Sequence, residues 1–482
     1  MDDKYDIGIV GGGPGGYVAA IRGAQLKRRV VLFERDEVGG TCMNYGCIPT
    51  KYLLHQTKIF RDLKENKNIE GKFEAFKCNW KRIQEEKGKI VKKLVKGVEF
   101  LLKKNGVNVV KGKALLRSKN HIEISCEEGE KIFKTDKIIL ATGSRPADLP
   151  FLKTNMKNII TSREALELEN IPRRLIIVGA GPIGLEMGTI FQRLGSDVSI
   201  LEIMPTILPG SERDIIFRME RVLKDQGLKI FTQMRIEECF IKDGNIYLKG
   251  TCLKDQNPFD FNTDKILLAT GRRPNSEDLK EALPELDLDE KGFVKVNSRF
   301  ETSVPGVYAI GDLIGGKLLA HKALHEGIAA SENASGLTKT VNYNALPMAV
   351  FSEPEFSSVG LSEQEAKERG IMVKTGLFSL QANGRALSMG SIEGAVKIIA
   401  DKKEKIVGAH ILAPNASELI AEMTLAIENG MTLQDVSSSI HIHPTLSESR
   451  LFRRETAPGI WYKIRPAPKK ICSRKSSGII SE

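Results

Sequence analysis

A chain of 482 residues is too long for one hydrophobic core and suggests about three domains. Its 41% hydrophobic and 28% charged content excludes a disordered chain, and apolar runs such as "KIILATG" fall far short of the ~20 residues a membrane helix needs. The net charge of +11 invites a nucleic-acid role, but no recognition motif accompanies it and much of the excess is local.

The N-terminus, "MDDKYDIGIV", passes from acids straight into an expected strand, without a signal or transit peptide. The seven cysteines (42, 47, 78, 126, 239, 252 and 472) are odd in number and scattered, which argues for a reducing compartment. A cytoplasmic protein is expected.

The strand leads into Gly11-x-Gly13-x-x-Gly16, and the next apolar run, "RRVVLFE", ends at Glu34. In such a unit the first glycine permits a tight turn, the second admits a pyrophosphate, and the third lets helix pack on strand. The helix N-terminus then faces the phosphates, and the acid accepts from a ribose hydroxyl. One such match is weak. A second copy stands at Gly179-x-Gly181-x-x-Gly184 with Glu202, and the offset is 168 residues from Gly11 to Gly179 and again from Glu34 to Glu202. Two bound dinucleotides are therefore expected. Glu202, with no arginine in the following "IMPTILPG", favours NAD over NADP.

Between the first acid and the end of its unit lies "GGTCMNYGCIPTK". Zinc is disfavoured for Cys42 and Cys47, because a site needs three or four protein ligands and the nearest histidine is His55. Two separate core thiols or a disulfide remain. In a regular helix residues five apart rise ~7.5 Å, beyond the ~6.8 Å between Cα atoms that a disulfide tolerates. A bond would need a distorted first turn, and so small a ring is suited to thiol exchange more than to stapling. Further on, Ile83, Ile90, Val91, Leu94, Val98 and Leu101 recur at helical spacing in a lysine-rich stretch. That predicts a helix with a solvated basic face, closed by Asn105-Gly106.

Each unit ends alike, at Ala141-Thr142-Gly143 and at Ala269-Thr270-Gly271. From Gly11 to Ala141 is 130 residues and from Gly179 to Ala269 only 90, so the first unit carries the insertion that holds the cysteines. "ETSVPGVYAIGD" reads as a strand delivering Asp312 to a polyhydroxylated ligand, and "AVKIIADKKEKIVGAHIL" as an antiparallel strand pair. Near the end, "HIHPTLSE" sets His443 five residues before Glu448. A carboxylate holding one imidazole nitrogen frees the other to take a thiol proton. The last twenty residues are basic, with Lys463, Arg465, Lys469, Lys470, Arg474 and Lys475.

Taken together, "GGTCMNYGCIPTK", both dinucleotide motifs, "TSVPGVYAIGD", "LLAHKALHEG", "QANGRALSMG", "ILAPNASELIAE" and "HIHPTLSE" resemble the dihydrolipoamide dehydrogenases of the pyridine nucleotide-disulfide oxidoreductase family, from about residue 5 to about residue 450. The resemblance implies α/β architecture: two doubly wound dinucleotide-binding domains, the NAD unit inserted in the FAD unit, and a C-terminal α+β dimerisation domain. The expected divisions are 1–147 for FAD and the redox disulfide, 148–276 for NAD, 277–346 completing the FAD site, 347–462 for the interface and 463–482 for a basic tail. FAD would be held by Gly11, Gly13, Gly16, Glu34, Lys51 and Asp312, and NAD by Gly179, Gly181, Gly184 and Glu202. Thr142, Gly143, Gly271 and Ala320 are further cofactor candidates, and Lys51 with Glu186 looks like the family's ion pair near the reactive flavin nitrogen. Cys42 would be the exchange thiol, Cys47 the thiol facing the flavin, and His443 with Glu448 the base acting across a homodimer interface. The implied partner is a lipoyl-bearing acyltransferase of a 2-oxo acid dehydrogenase complex or a glycine cleavage protein, with no membrane and no nucleic acid involved.

Glutathione, trypanothione and mercuric reductases resemble the same plan. Ile48-Pro49-Thr50-Lys51, "ASELIAE" and Glu202 separate this chain from the glutathione type, and a lone Cys472 separates it from the mercuric type. It departs from the family after "HPTLSE", where Pro458-Gly459 interrupts the expected closing helix.

Overall fold

The computed structural model describes residues 4–66, 68–70, 77–126, 129–242 and 245–450. The basic tail and the Pro458-Gly459 departure lie outside these residues.

Strand Lys4–Val10 is flanked by parallel partners, Val30–Glu34 on one side and Gly129–Leu140 on the other, and Asn108–Lys111 extends the sheet beyond Val30–Glu34. His121–Cys126 and Lys113–Ser118 continue it as an antiparallel meander. The strand that ends at the glycine turn and its neighbour that ends at Glu34 carry buried apolar runs (Ile7, Ile9 and Val10; Val30, Val31, Leu32 and Phe33), as burial on both faces requires. Val307–Ala309 returns from far along the chain to pair in parallel with Gly129–Leu140. The whole second unit therefore sits inside the first.

That second unit is a parallel sheet in the order 229–231, 197–201, 174–178, 265–268, 159–160, with a separate three-stranded meander of Met234–Lys242, Asn245–Cys252 and Pro258–Thr263. The units exchange chain through one antiparallel pair, Ser144–Pro146 with Arg272–Pro274. The C-terminal domain is a five-stranded antiparallel sheet in which Ala395–Asp401 pairs with Ile406–Ala413, the antiparallel pair expected from the sequence. Helix Ala416–Glu428 packs on it.

The lysine-rich helix runs from Trp80 to Lys104, with Asn105 as its C-cap and Gly106 at φ 73°. Its buried stripe is Trp80, Lys87, Val95, Val98 and Leu102, so the predicted apolar face needs correcting. Ile83, Val91 and Val98 lie on or beside that stripe, but Ile90, Leu94 and Leu101 form a neighbouring stripe that is 36–45% exposed. Two adjacent apolar rows, one position apart, merge into a single face when read by spacing alone. The lysines are not all solvated either. Lys87 is buried and donates to the carbonyl of Leu166, next to the Trp80 Nε1 bond to Leu168 O at 2.7 Å.

A buried ammonium joins the second unit to the C-terminal sheet. Lys397 Nζ lies 2.7 Å from each of Glu212, Asp214 and Glu363. Burial acts to lower its pKa, but the hydrogen bonds it donates to Asp214, Glu212 and Glu363 outweigh that and hold the lysine well above its usual range. Lys397 and Glu212 are only 3% and 4% exposed. Lys397→Ala leaves the Glu212 carboxylate buried without its counter-ion, and should cost about 3–5 kcal/mol. Denaturation midpoints should fall accordingly, and adding Glu212→Gln should restore part of the loss.

Candidate active site

The two glycine turns are superposable in their chemistry. Gly11 and Gly179 adopt φ of 104° and 107°, and a Cβ on either would lie 2.3–2.4 Å from the carbonyl oxygen of Ala141 or Ala269. The final Ala-Thr-Gly of each unit is therefore the wall against which its first turn is pressed. Gly16 and Gly184 approach the Gly11 and Gly179 carbonyls so closely that a Cβ would overlap them at 1.8 and 2.0 Å. Gly13 and Gly181 are the opposite case: a Cβ there meets nothing within 4 Å. Each caps a helix, Pro14–Gln25 or Pro182–Arg193, whose first N–H groups open onto that space. Such a cradle fits a pyrophosphate.

Both acids are fixed in the same way. Glu34 accepts from Gly12 N (2.6 Å) and Asp36 N (2.8 Å), and Glu202 accepts from Ala180 N (2.7 Å) and Met204 N (2.8 Å). A cavity of about 450 Å³ opens beside Glu34, walled by Asp36, Val38, Leu102, Val107 and Lys111. Its size and mixed lining fit an adenosine.

Thr142, Gly143 and Gly271 belong to the crossing between units. Thr142 Oγ1 donates to Asn275 O at 2.9 Å, and Asn275 Nδ2 returns a bond to Thr142 O at 2.8 Å. Gly143 and Gly271 take φ of 68° and 109°. Asp312 follows the returning strand, inside the short turn Gly311–Ile314. Its carboxylate accepts from Ser144 Oγ at 2.5 Å and faces Arg272 Nε at 3.7 Å. The turn is braced from below by Glu326, fully buried, which accepts from Gly311 N (2.7 Å), Lys322 (2.8 Å) and Tyr343 OH (2.5 Å). Ala320 opens the helix that carries Lys322 and Glu326.

Cys42 and Cys47 form a disulfide with Cα atoms 4.7 Å apart. The expected distortion is a complete break. Helix Gly40–Tyr45 stops at Gly46 (φ −144°, ψ −112°), and helix Cys47–Glu65 starts afresh. A Cβ on Gly46 would lie 2.7 Å from Thr41 O. One turn into the second helix, on the face of Cys47, Lys51 meets Glu186 of the second unit at 2.8 and 3.0 Å. Glu186 is 6% exposed at its side chain and also accepts from Phe351 N at 3.1 Å.

His443 Nδ1 lies 2.9 Å from Glu448 Oε1, and Thr445 N donates to Glu448 Oε2 at 2.8 Å. The Thr445 N–H and then the His443 bond hold the Glu448 carboxyl below its ordinary range, so it serves as a charged anchor for the ring. The imidazole is 79% exposed, and Ile440 and Ile442 beside it are almost wholly uncovered. Within one chain this dyad is directed to solvent. A second pair, His441 Nε2 with Glu422 Oε1 at 2.9 Å, flanks it.

Sequence reasoning did not find Phe351, Arg272, Glu326 or the His441–Glu422 pair. Arg272 and Glu326 stand inside segments already singled out ("KILLATGRRP" and "LLAHKALHEG"), but only the fold shows that they converge on the Gly311–Ile314 turn. Nothing in the spacing signals Phe351.

Two dinucleotide cradles around a disulfide, with an ion pair one helical turn beyond it, define an enzyme that moves electron pairs between a nucleotide and thiols. The chain belongs to the pyridine nucleotide-disulphide oxidoreductase family: residues 5–327 match that family and residues 346–451 match its dimerisation domain. It is 41% identical over 448 residues to the dihydrolipoyl dehydrogenase of Thermus scotoductus, spanning 92% of this chain and 95% of that one. It is 39% identical over 459 residues to the dihydrolipoyl dehydrogenase of Staphylococcus aureus, spanning 95% and 97%. Among solved structures it is similar to the Cu(II) complex of the HOCl-induced flavoprotein disulfide reductase RclA from Escherichia coli, at 27% identity and a TM-score of 0.82 over 93% of this chain and 98% of that one. Among the described residues no helix is long and apolar enough to cross a membrane.

Gly46→Ala should push the two helices apart. Thiol titration of air-oxidised, unreduced protein should then detect Cys42 and Cys47 as free thiols, whereas the unsubstituted protein keeps them paired.

Proposed function

We propose that this chain is a dihydrolipoamide dehydrogenase, a homodimer that oxidises dihydrolipoamide on lipoyl-bearing partners and reduces NAD+. The observation that carries the reading is the Cys42–Cys47 disulfide at a helix break, with Lys51 and Glu186 one turn beyond Cys47. Gly11, Gly13, Gly16, Glu34, Lys51 and Asp312 would hold FAD, and Gly179, Gly181, Gly184 and Glu202 would hold NAD. Bound FAD would supply the two-electron relay between the cysteine pair and NAD+.

The chain's own residues do the rest. His443 of one protomer, held by Glu448, takes the proton from a substrate thiol in the site of its partner. The substrate thiolate attacks the Cys42 sulfur, the Cys42–Cys47 bond breaks, and Cys47 leaves as a thiolate. The second substrate sulfur then attacks the mixed disulfide, which closes the lipoyl ring and releases Cys42. The substrate has lost two electrons and the enzyme has gained them as a dithiol. The exposed Ile440, Ile442 and His443 are the surface such a dimer would cover.

Purified, flavin-loaded protein mixed anaerobically with dihydrolipoamide and NAD+ should form NADH rapidly. Cys42→Ser should abolish turnover, and Glu448→Gln should lower kcat by about 10- to 100-fold. A folded yellow protein without turnover would defeat the reading and point to another disulfide substrate.

The coenzyme choice follows from Glu202, which would place a carboxylate against a 2′-phosphate. The ratio of kcat/KM for NAD+ over NADP+ should be at least about 100. Comparable rates with the two would show that Glu202 does not line the ribose site.

A further inference from the structure

Phe351 belongs to neither nucleotide unit. It follows strand Met348–Val350 at the edge of the C-terminal sheet, yet it touches the Lys51–Glu186 pair twice. Its backbone N–H donates to Glu186 Oε1 at 3.1 Å, and its ring centroid lies 4.4 Å from Lys51 Nζ. The carboxylate is thereby held by two donors on one oxygen and one on the other. The ammonium has the carboxylate on one side and the negative face of an aromatic ring on another.

The chemistry of that second neighbour matters. A ring attracts a cation through its quadrupole without adding charge, so Lys51 is restrained while its net charge is left intact. A second carboxylate would make the cluster net negative, and an aliphatic side chain would exclude water without attraction. Position is important for such a charge. At an effective dielectric of about 20, moving a unit charge from about 4 to about 5 Å from a redox group shifts its equilibrium about fourfold.

We propose that Phe351 is a positioning residue of the redox centre: its ring and backbone N–H fix the Lys51 ammonium, and so set how strongly that charge favours reduced over oxidised flavin. The inference rests on the reading that the flavin lies at Lys51. It assigns the C-terminal domain a part in electron transfer within its own chain, separate from any role in dimerisation.

The test uses the flavin-loaded dimer in a Cys42→Ser, Cys47→Ser background, where the flavin is the sole two-electron group. The ratio of reduced to oxidised flavin is read by absorbance at equilibrium with a dye of known potential. Phe351→Leu should lower that ratio about fourfold, and Phe351→Tyr should change it less than about twofold. Replacing Phe351 by phenylalanines with one, two and three ring fluorines should lower it stepwise, because fluorine drains the ring face at nearly constant shape. That series carries the test if Phe351→Leu does not fold. Lys51→Met is the control for the underlying reading. If Lys51→Met shifts the flavin while Phe351→Leu and the fluorinated series leave it unmoved, Phe351 has no positioning role. If Lys51→Met shifts nothing, the flavin is not at Lys51, and the proposal falls with that assignment. A shift in Phe351→Leu with a flat fluorine series would reduce the ring to ordinary packing and would also overturn it.

Discussion

The ion pair between Lys51 and Glu186 is the joint on which the rest of the molecule turns. Lys51 comes from the cysteine helix of the first unit and Glu186 from the glycine-turn helix of the second. Phe351, beside both, comes from the C-terminal domain. A carboxylate as deeply placed as Glu186 is tolerable only with a counter-ion and donors, so the three domains must meet at this point for any of them to be comfortable. The same helix carries Cys47 one turn away. Domain assembly and the geometry of the thiol pair are thus set by one helix, and a change that rotates it would disturb both together.

The duplication shows what a nucleotide cradle requires and what it leaves free. Both copies keep the positive-φ first glycine, the third glycine pressed on its carbonyl, and an acid pinned by the N–H of the residue after the first glycine and by one two residues beyond itself. These are backbone demands, met identically. The difference lies in the connection between acid and closing strand. Both copies run through a meander there, but among the described residues the first copy also has three helices and the disulfide, where the second has one helix. Thiol chemistry was added where the cradle does not constrain the chain.

This also explains what could be read from the sequence. Glycine turns, the acids that follow them and the cysteine pair are local patterns enforced by sterics, and they appear at fixed spacing whatever surrounds them. The His443–Glu448 contact was legible because five residues of turn place the two side chains together. Phe351 was not, because its partners are 300 residues away at Lys51 and 165 away at Glu186, and an aromatic residue after a strand looks like core. Arg272 and Ser144 reach Asp312 only through the strand crossing between units. The lysine-rich helix was misread for a different reason: two parallel apolar rows share one periodicity, and only a packing partner distinguishes the buried row from the exposed one.

The insertion of one unit inside the other has a consequence for how the chain is made. Ile138 waits for its strand partner Val307, and Ser144 for Asp312, until the whole second unit has been synthesised. At about 5–20 residues per second, that interval is roughly 8–34 seconds on a ribosome. During it the second unit is complete and can fold, while the first has an open sheet edge along Ile138–Leu140 and no acid at the position of Asp312. The nascent chain therefore finishes its inner domain before its outer one, and the edge left bare in the meantime is where a chaperone or a misplaced strand would act.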